Sequence, residues 1–408
     1  MPKFEVAQRM NKKAESTHKS LRLTTLFKDF FANNQAGGIL LIIATLCSLL
    51  LANSNLSGRY IGFWNTEIGP ELHNHSNAIH WHLRHSLVGW INDGLMTLFF
   101  LLVGLEIERE LYIGELSDRK RALLPIMGAL GGMIMPAILF VFCTITHPEL
   151  LRGAGIPTAT DIAFAIAIMG LLGDKVPATL KVFLTALAII DDLGAIFVIA
   201  LFYGGGFSGL FLGLTAVTIG ILYILNRKQY NNGWVYSILG VLLWFFMMHS
   251  GIHATLAGVI LAFAIPFENG SQHTLSYRLE HALQKPVTFF ILPVFALANT
   301  AIPIHGSALD IAAHPLSIGI FAGLVLGKPL GIVSFSLLAD KFGIATIAKN
   351  ISKRQLLGAG ILGGIGFTMA IFVTNLAFAD PALIDLGKIA ILLASTFAAG
   401  LGLLLLRK

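Results

Sequence analysis

Apolar residues in this chain gather in long blocks, and short segments between the blocks hold most of the Lys, Arg, Asp and Glu. A helix needs about 20 such residues to cross the hydrocarbon core of a bilayer. Twelve runs meet that description, near 37–53, 87–105, 122–145, 158–173, 178–203, 208–225, 233–249, 252–266, 286–305, 316–339, 355–377 and 382–406. None alternates with period two as a lipid-facing barrel strand must, whereas a helix satisfies its own backbone polar groups in lipid. The pattern predicts an all-α polytopic membrane protein with about twelve transmembrane helices. A basic tail over residues 1–35 would precede a single integral membrane domain over 36–408.

Two runs are irregular. The fourth is short and opens with Gly153, Gly155 and Pro157, while the eleventh crowds Gly358, Gly360, Gly363, Gly364 and Gly366 ahead of Phe367 and Thr368. Glycines of this kind serve either close helix packing or interrupted helices. If spans alternate sides, runs 3–5 and runs 10–12 form triplets of opposite orientation, each with its Gly-rich member second. That is the layout of an inverted-topology repeat, in which broken helices mark a transport site near the midplane.

Composition supports the bilayer assignment, since 55% of the 408 residues are hydrophobic and 12% charged, against about a quarter charged in soluble domains. The net charge of +6 does not point to nucleic acid, because the basic residues lie in the short connecting segments. With the amino terminus in the cytoplasm, 23 Lys and Arg fall on the inner side and four, Arg59, Arg84, Arg152 and Lys388, on the outer. This bias sets the orientation, with both termini cytoplasmic. The tail has no small-residue cleavage site closing the first apolar run, so it reads as a segment lying on anionic lipid or disordered rather than as a signal peptide. Cys47 and Cys143 both lie in apolar runs and read as small buried hydrophobes.

Against this background a few ionisable residues stand out. Asp191 and Asp192 sit side by side within VFLTALAIIDDLGAIFVIALFY, Val182 to Tyr203. A carboxylate at the bilayer centre costs about 2.5–3.5 kcal/mol on insertion scales, and two neighbours also repel. Lys328 falls near the middle of the tenth run and Asp161 follows Thr160 in the irregular fourth. Half-helix ends leave unpaired backbone groups and partial charges, which Asp161 and Lys328 are suited to compensate. Two carboxylates, a Thr hydroxyl and freed carbonyls make an oxygen set for a hard cation such as sodium. Burial and like charge penalise holding both aspartates ionised, so protons compete with the metal for the same pair.

The string TATDIAFAIAIMGLLGDKVPATLKVFLTALAIIDDLGAI, with LFFLLVGLEIERE, SGIHATLAGV, RLEHALQKPV, ILPVFALANT and GGIGFTMAIF, resembles the NhaA-type sodium/proton antiporter family over almost the whole chain. The resemblance implies a pH-regulated secondary transporter, not an enzyme, that extrudes sodium and also lithium at the expense of the proton gradient, without a cofactor. It implies that Asp191 and Asp192 bind the cation and protons, that Thr160 and Asp161 sit where broken helices cross, and that Lys328 lies close to Asp191. It assigns pH sensing to Glu106, Arg109, Glu110, Glu280 and His281, with a lesser part for His253. Partners would be the transported ions, membrane lipid and a second copy of the chain.

Other features have plainer readings. Asp93 in INDG suits a helix start at the interface, and the Glu106–Glu110 cluster, taken alone, suits a solvated helix end. The segment HNHSNAIHWHLRH holds His73, His75, His80, His82 and His85, a tract that can bind transition metal or form a solvated loop or dimer contact. An intramembrane aspartyl protease would need a GxGD-type element, which the sequence lacks. A channel would need a filter of ringed side chains or carbonyls. Adjacent aspartates within an inverted repeat favour a carrier.

Overall fold

The computed structural model describes residues 34–69, 71–72, 81–82, 84–267, 273–304 and 307–407. The basic tail to residue 33, and most of the histidine-rich segment, lie outside them. Helices dominate: α1 Asn34–Ala52, α2 Ser57–Trp64, α3 Leu87–Tyr112, α4 Arg119–Thr144, α5a Pro148–Thr158, α5b Ile162–Gly170, α6 Ala178–Phe202 and α7 Gly209–Arg227 come first. There follow α8 Gly233–Ser250, α9 Leu256–Ala264, α10 Leu275–Asn299, α11 Ala308–Ala313, α12 Pro315–Lys341, α13a Lys353–Gly363, α13b Phe367–Ala377 and α14 Pro381–Arg407. Among the described residues, four two-residue strands pair antiparallel between α2 and α3, Glu67–Ile68 with His85–Ser86 and Glu71–Leu72 with Trp81–His82. The short run between α2 and α3 is thus partly extended within an otherwise helical chain.

Among the described residues eight helices are long and apolar enough to cross a membrane, and α5a/α5b and α13a/α13b bring the number to ten if each bent pair counts once. The chain is a multi-pass membrane protein. Two of the twelve expected runs fall short. α1 has an apolar stretch of only Ala36–Ala52, and the run at 252–266 yields α9, whose nine residues reach about 13 Å. The reason is local: Gly251, at φ 90°, ends α8 in the left-handed region, and the chain turns through 252–255 before α9 begins. A Cβ there would sit 2.5 Å from the Gly205 carbonyl oxygen, so only glycine permits the turn.

Both expected interruptions are present. α5a meets α5b, and α13a meets α13b, with the same bend of 44°. The first members of the two triplets, α4 and α12, cross in backbone contact. A Cβ on Gly131 would lie 2.2 Å from the Gly331 carbonyl oxygen, and one on Gly331 would lie 2.0 Å from that of Gly131. The two glycines face each other at one crossing, where the lack of side chains lets the two backbones touch.

The alternating helices define two faces, a proximal one where α1 begins and a distal one where it ends. Three differences from the sequence reading follow. α3 begins at Leu87, capped by the Ser86 hydroxyl accepting from the Gly89 N–H at 3.2 Å, so Asp93 lies inside the helix, in a wide π turn at Ile91–Leu95. Lys388, counted with the charges of the outer side, sits within α14 and is buried. Cys47 is exposed on the bundle surface rather than buried, and Cys143 is partly so.

Candidate functional site

The break in α5 leaves Ala159, Thr160 and Asp161 extended, and the break in α13 leaves Gly364, Ile365 and Gly366 outside the helix. The two breaks touch. The Asp161 N–H donates to the Ile365 carbonyl at 2.7 Å, and the Thr160 hydroxyl lies 2.9 Å from the Gly363 carbonyl. At this crossing two helix N-termini, of α5b and α13b, bring unpaired N–H groups and positive partial charge into the bundle, and two C-termini bring carbonyls.

Asp161 answers both N-termini with one carboxylate. Its Oδ1 accepts from the Phe164 N–H at 2.9 Å, capping α5b, and its Oδ2 accepts from the Thr368 N–H at 3.1 Å and from the Thr368 hydroxyl, in the first turn of α13b. Lys328, wholly buried, answers a C-terminus: its ammonium donates to the Thr158 carbonyl at the end of α5a. The same nitrogen lies 2.8 Å from Asp191 Oδ2, which also accepts from the Thr160 hydroxyl at 2.7 Å.

Asp191 and Asp192 occupy the middle of α6, and neighbouring helical residues point about 100° apart. Hence they meet different surroundings. Asp191 faces Thr160 and Lys328, whereas Asp192 lines a cavity of about 340 Å³ together with Glu106, Asp161, Gln284, Lys285 and Thr368. Both are almost without exposure, and Asp191 Oδ1 and Asp192 Oδ1 are buried with no hydrogen-bond partner among the described residues. Buried carboxylate oxygens are costly when unpartnered, and oxygens in this setting are chemically suited to accept a cation or a proton. The cavity lies in the proximal half of the bundle, where α3 is ending and α10 beginning.

Of the residues the sequence reading grouped for pH sensing, most converge there. Arg109 pairs with Glu110 at 3.2 Å and with Glu280 of α10 at 3.1 Å, and Glu106 lies one turn further in, on the cavity wall. His281 stacks on Tyr277 with ring centroids 3.9 Å apart, its Nδ1 3.0 Å from the Tyr277 carbonyl. His253 does not join them. It sits at the distal face in the turn before α9, its Nε2 2.6 Å from the Tyr203 carbonyl. Gln284 and Lys285 were missed as cavity residues because the ninth run was read as starting at 286, whereas the helix starts at Leu275. The spacing of Leu275, Leu279 and Leu283 at intervals of four carried that signal.

Broken helices crossing at mid-bundle around buried carboxylates define a secondary carrier for a small cation. The chain belongs to the Na+/H+ antiporter 1 family, whose profile matches residues 28–406. It is 52% identical over 387 residues to the Na(+)/H(+) antiporter NhaA of Cytophaga hutchinsonii, covering 95% of this chain and 96% of that protein. It is also 52% identical to Na(+)/H(+) antiporter NhaA 1 of Flavobacterium johnsoniae, over 95% of this chain and 98% of that one. Identity to the Na(+)/H(+) antiporter NhaA of Aliivibrio fischeri is 45%, with 94% and 98% covered. The solved structure of the sodium proton antiporter MjNhaP1 from Methanocaldococcus jannaschii superposes with a TM-score of 0.51, covering 91% of this chain and 92% of that one. At 13% identity that likeness concerns the fold alone.

Proposed function

We propose that the chain exchanges sodium for protons at a single site, with Asp191 and Asp192 holding each in turn. Membership in the Na+/H+ antiporter 1 family supports the exchange, and the observation that carries the site is the pair of unpartnered oxygens, Asp191 Oδ1 and Asp192 Oδ1, beside a cavity. Sodium is a hard cation and replaces its water with oxygen ligands. Thr160, Asp161 and the carbonyls at the helix breaks supply such oxygens next to the pair. Lys328 neutralises Asp191 when no cation is bound, and Asp161 holds the two helix N-termini together while the pocket changes hands. Lithium, equally hard and smaller, uses the same oxygens.

The proximal face is the cytoplasmic one in this reading, because the segments that end there carry most of the Lys and Arg. Both termini then lie in the cytoplasm, in a bacterial inner membrane. Glu106, Arg109, Glu110, Glu280 and His281 form a charged rim through which cytoplasmic pH acts on the cavity, and His253 reports from the opposite side. The exposed apolar surface of the bundle meets lipid, and a second copy of the chain pairs within it.

Competition is the test. A cation that binds only the ionised pair pulls protons off it, so sodium moves the acid limb of exchange to lower pH, by about one unit per tenfold rise above its dissociation constant if one proton competes. Exchange measured against pH at several sodium concentrations in vesicles reads this directly. An acid limb that stays fixed means the ions do not share the pair, and full sodium-driven proton movement by Asp191→Asn or Asp192→Asn would remove those residues from the site.

A further inference from the structure

An alternating carrier needs a route from the carboxylates to the distal face as well, and three helices carry a repeated pattern along it. α3, α10 and α13b each contribute residues to the wall of the proximal cavity, namely Val103 and Glu106, Thr288 and Leu292, and Thr368 and Met369, and on α3 the wall reaches as far as Phe99. At the distal end of that wall each contributes a buried phenylalanine, on α3 the neighbour of Phe99. Phe100, Phe295 and Phe372 are all buried, and Phe372 lies 5.4 Å from Phe100 and 6.5 Å from Phe295 between ring centroids. Beyond that layer each helix contributes an asparagine.

The Asn92 and Asn299 side chains pair through Asn299 Nδ2 donating to Asn92 Oδ1 at 2.8 Å, and Asn375 Nδ2 donates to Asn299 Oδ1 at 2.7 Å. On α13b the order Thr368, Phe372, Asn375 follows one face at intervals of four and three, so the amide stands about 10 Å beyond the Asp161 partner Thr368. On α10 the order Thr288, Leu292, Phe295, Asn299 does the same. On α3, Asn92 and Phe100 are eight residues apart, which on an ideal helix sets them about 80° apart. The wide turn at Ile91–Leu95 lies between them and reduces that angle, bringing Asn92 onto the shared line. Asn299 is buried at the centre of the trio, whereas Asn92 and Asn375 are partly exposed.

Interhelical asparagines can serve only as glue between helices. Glue has no reason to stand, on three helices at once, in line with a cavity wall and a phenylalanine. We propose that Asn92, Asn299 and Asn375 form the polar end of the distal access route, and that Phe100, Phe295 and Phe372 are the dry gate closing it in this structure. Amide oxygens are hard donors, so the trio exchanges water for protein ligands around a sodium ion before it reaches the gate. The inference rests on the carboxylate reading only for where the route leads.

Single cysteines in a Cys47→Ser, Cys143→Ser background, reconstituted in vesicles and exposed to silver ions from one face at a time, test the route. Asn375→Cys and Asn92→Cys react from the distal face and not the proximal, and Val103→Cys reacts from the proximal face alone. Adding Phe372→Ala makes Val103→Cys reactive from both. Asparagine positions closed to distal silver, or a Val103→Cys that stays closed to it without Phe372, would overturn the proposal. Labelling needs no exchange, so an Asp192→Asn background gives the same pattern whether or not the carboxylate reading holds. In the transport arm, Asn375→Leu raises the sodium KM at the distal face by about tenfold, the loss of one polar ligand, and leaves the proximal KM in place. Equal changes at both faces would mean that the trio only holds the helices together.

Discussion

Lys328 meets two demands in a space without water, closing the carbonyl end of α5a and balancing Asp191. Removing one member of a buried ion pair leaves an uncompensated charge and costs about 3–5 kcal/mol, whereas removing both is often close to neutral. Lys328→Met therefore lowers the melting temperature in detergent sharply, and adding Asp191→Asn restores most of it. A double variant no more stable than Lys328→Met would show that the lysine's main partner is the Thr158 carbonyl. Lys328→Arg retains part of the stability because the charge survives. These residues were legible in the sequence because each is an ionisable group inside an apolar run, a cost that stands out against its neighbours. Asn92, Asn299 and Asn375 carry no charge, so nothing in the apolar pattern marked them, and only their mutual hydrogen bonds did. The burial of Lys388 was hidden by its place near the start of α14, where a lysine commonly reaches for the interface.

Among the elements, the two triplets were visible as runs of opposite sense with a Gly-rich middle member, and both breaks appeared where the glycines and Pro157 predicted. Length misled at other places. The run at 252–266 is apolar enough to span, but Gly251 and the turn after it spend several of its residues outside any helix. The charged start of α10 hid a helix that runs unbroken from Leu275 into the bundle, which put Gln284 and Lys285 on the cavity wall. The contact between α4 and α12 is the element pairing most exposed to a single substitution. With backbone oxygens 2.0–2.2 Å from any added Cβ, Gly131→Ala or Gly331→Ala forces the helices apart and costs about 1–3 kcal/mol. Thermal melting of the two alanine variants checks it, and an unchanged midpoint in both would show that the crossing relaxes freely.

For the whole molecule, the bias of Lys and Arg toward one face predicts an orientation in the membrane. Single-cysteine labelling from each side of the membrane is expected to reach Lys120 and Lys353 from the cytoplasm and His85 from outside. Lys120 and His85 on the same side would undo the opposed orientation of the triplets.

The cavity beside Asp192 has a further consequence, an electrical one. Its walls are largely apolar, but Glu106, Asp161, Gln284 and Lys285 give water enough partners to enter, and water reaching Asp192 would carry the proximal bulk potential almost to the carboxylates. Most of the transmembrane voltage then falls across the short dry layer of Phe100, Phe295 and Phe372. Each elementary charge that crosses the drop exchanges about 2.3 kcal/mol per 100 mV. Sodium entering from the proximal side crosses little of it, so its half-saturation there stays constant under imposed diffusion potentials while the turnover rate responds. When the gate opens distally and the cavity closes, the dry layer forms on the other side of the pair. In the proposed cycle a cation held by Asp191 and Asp192 is then carried through the voltage without travelling, because the field is moved past it.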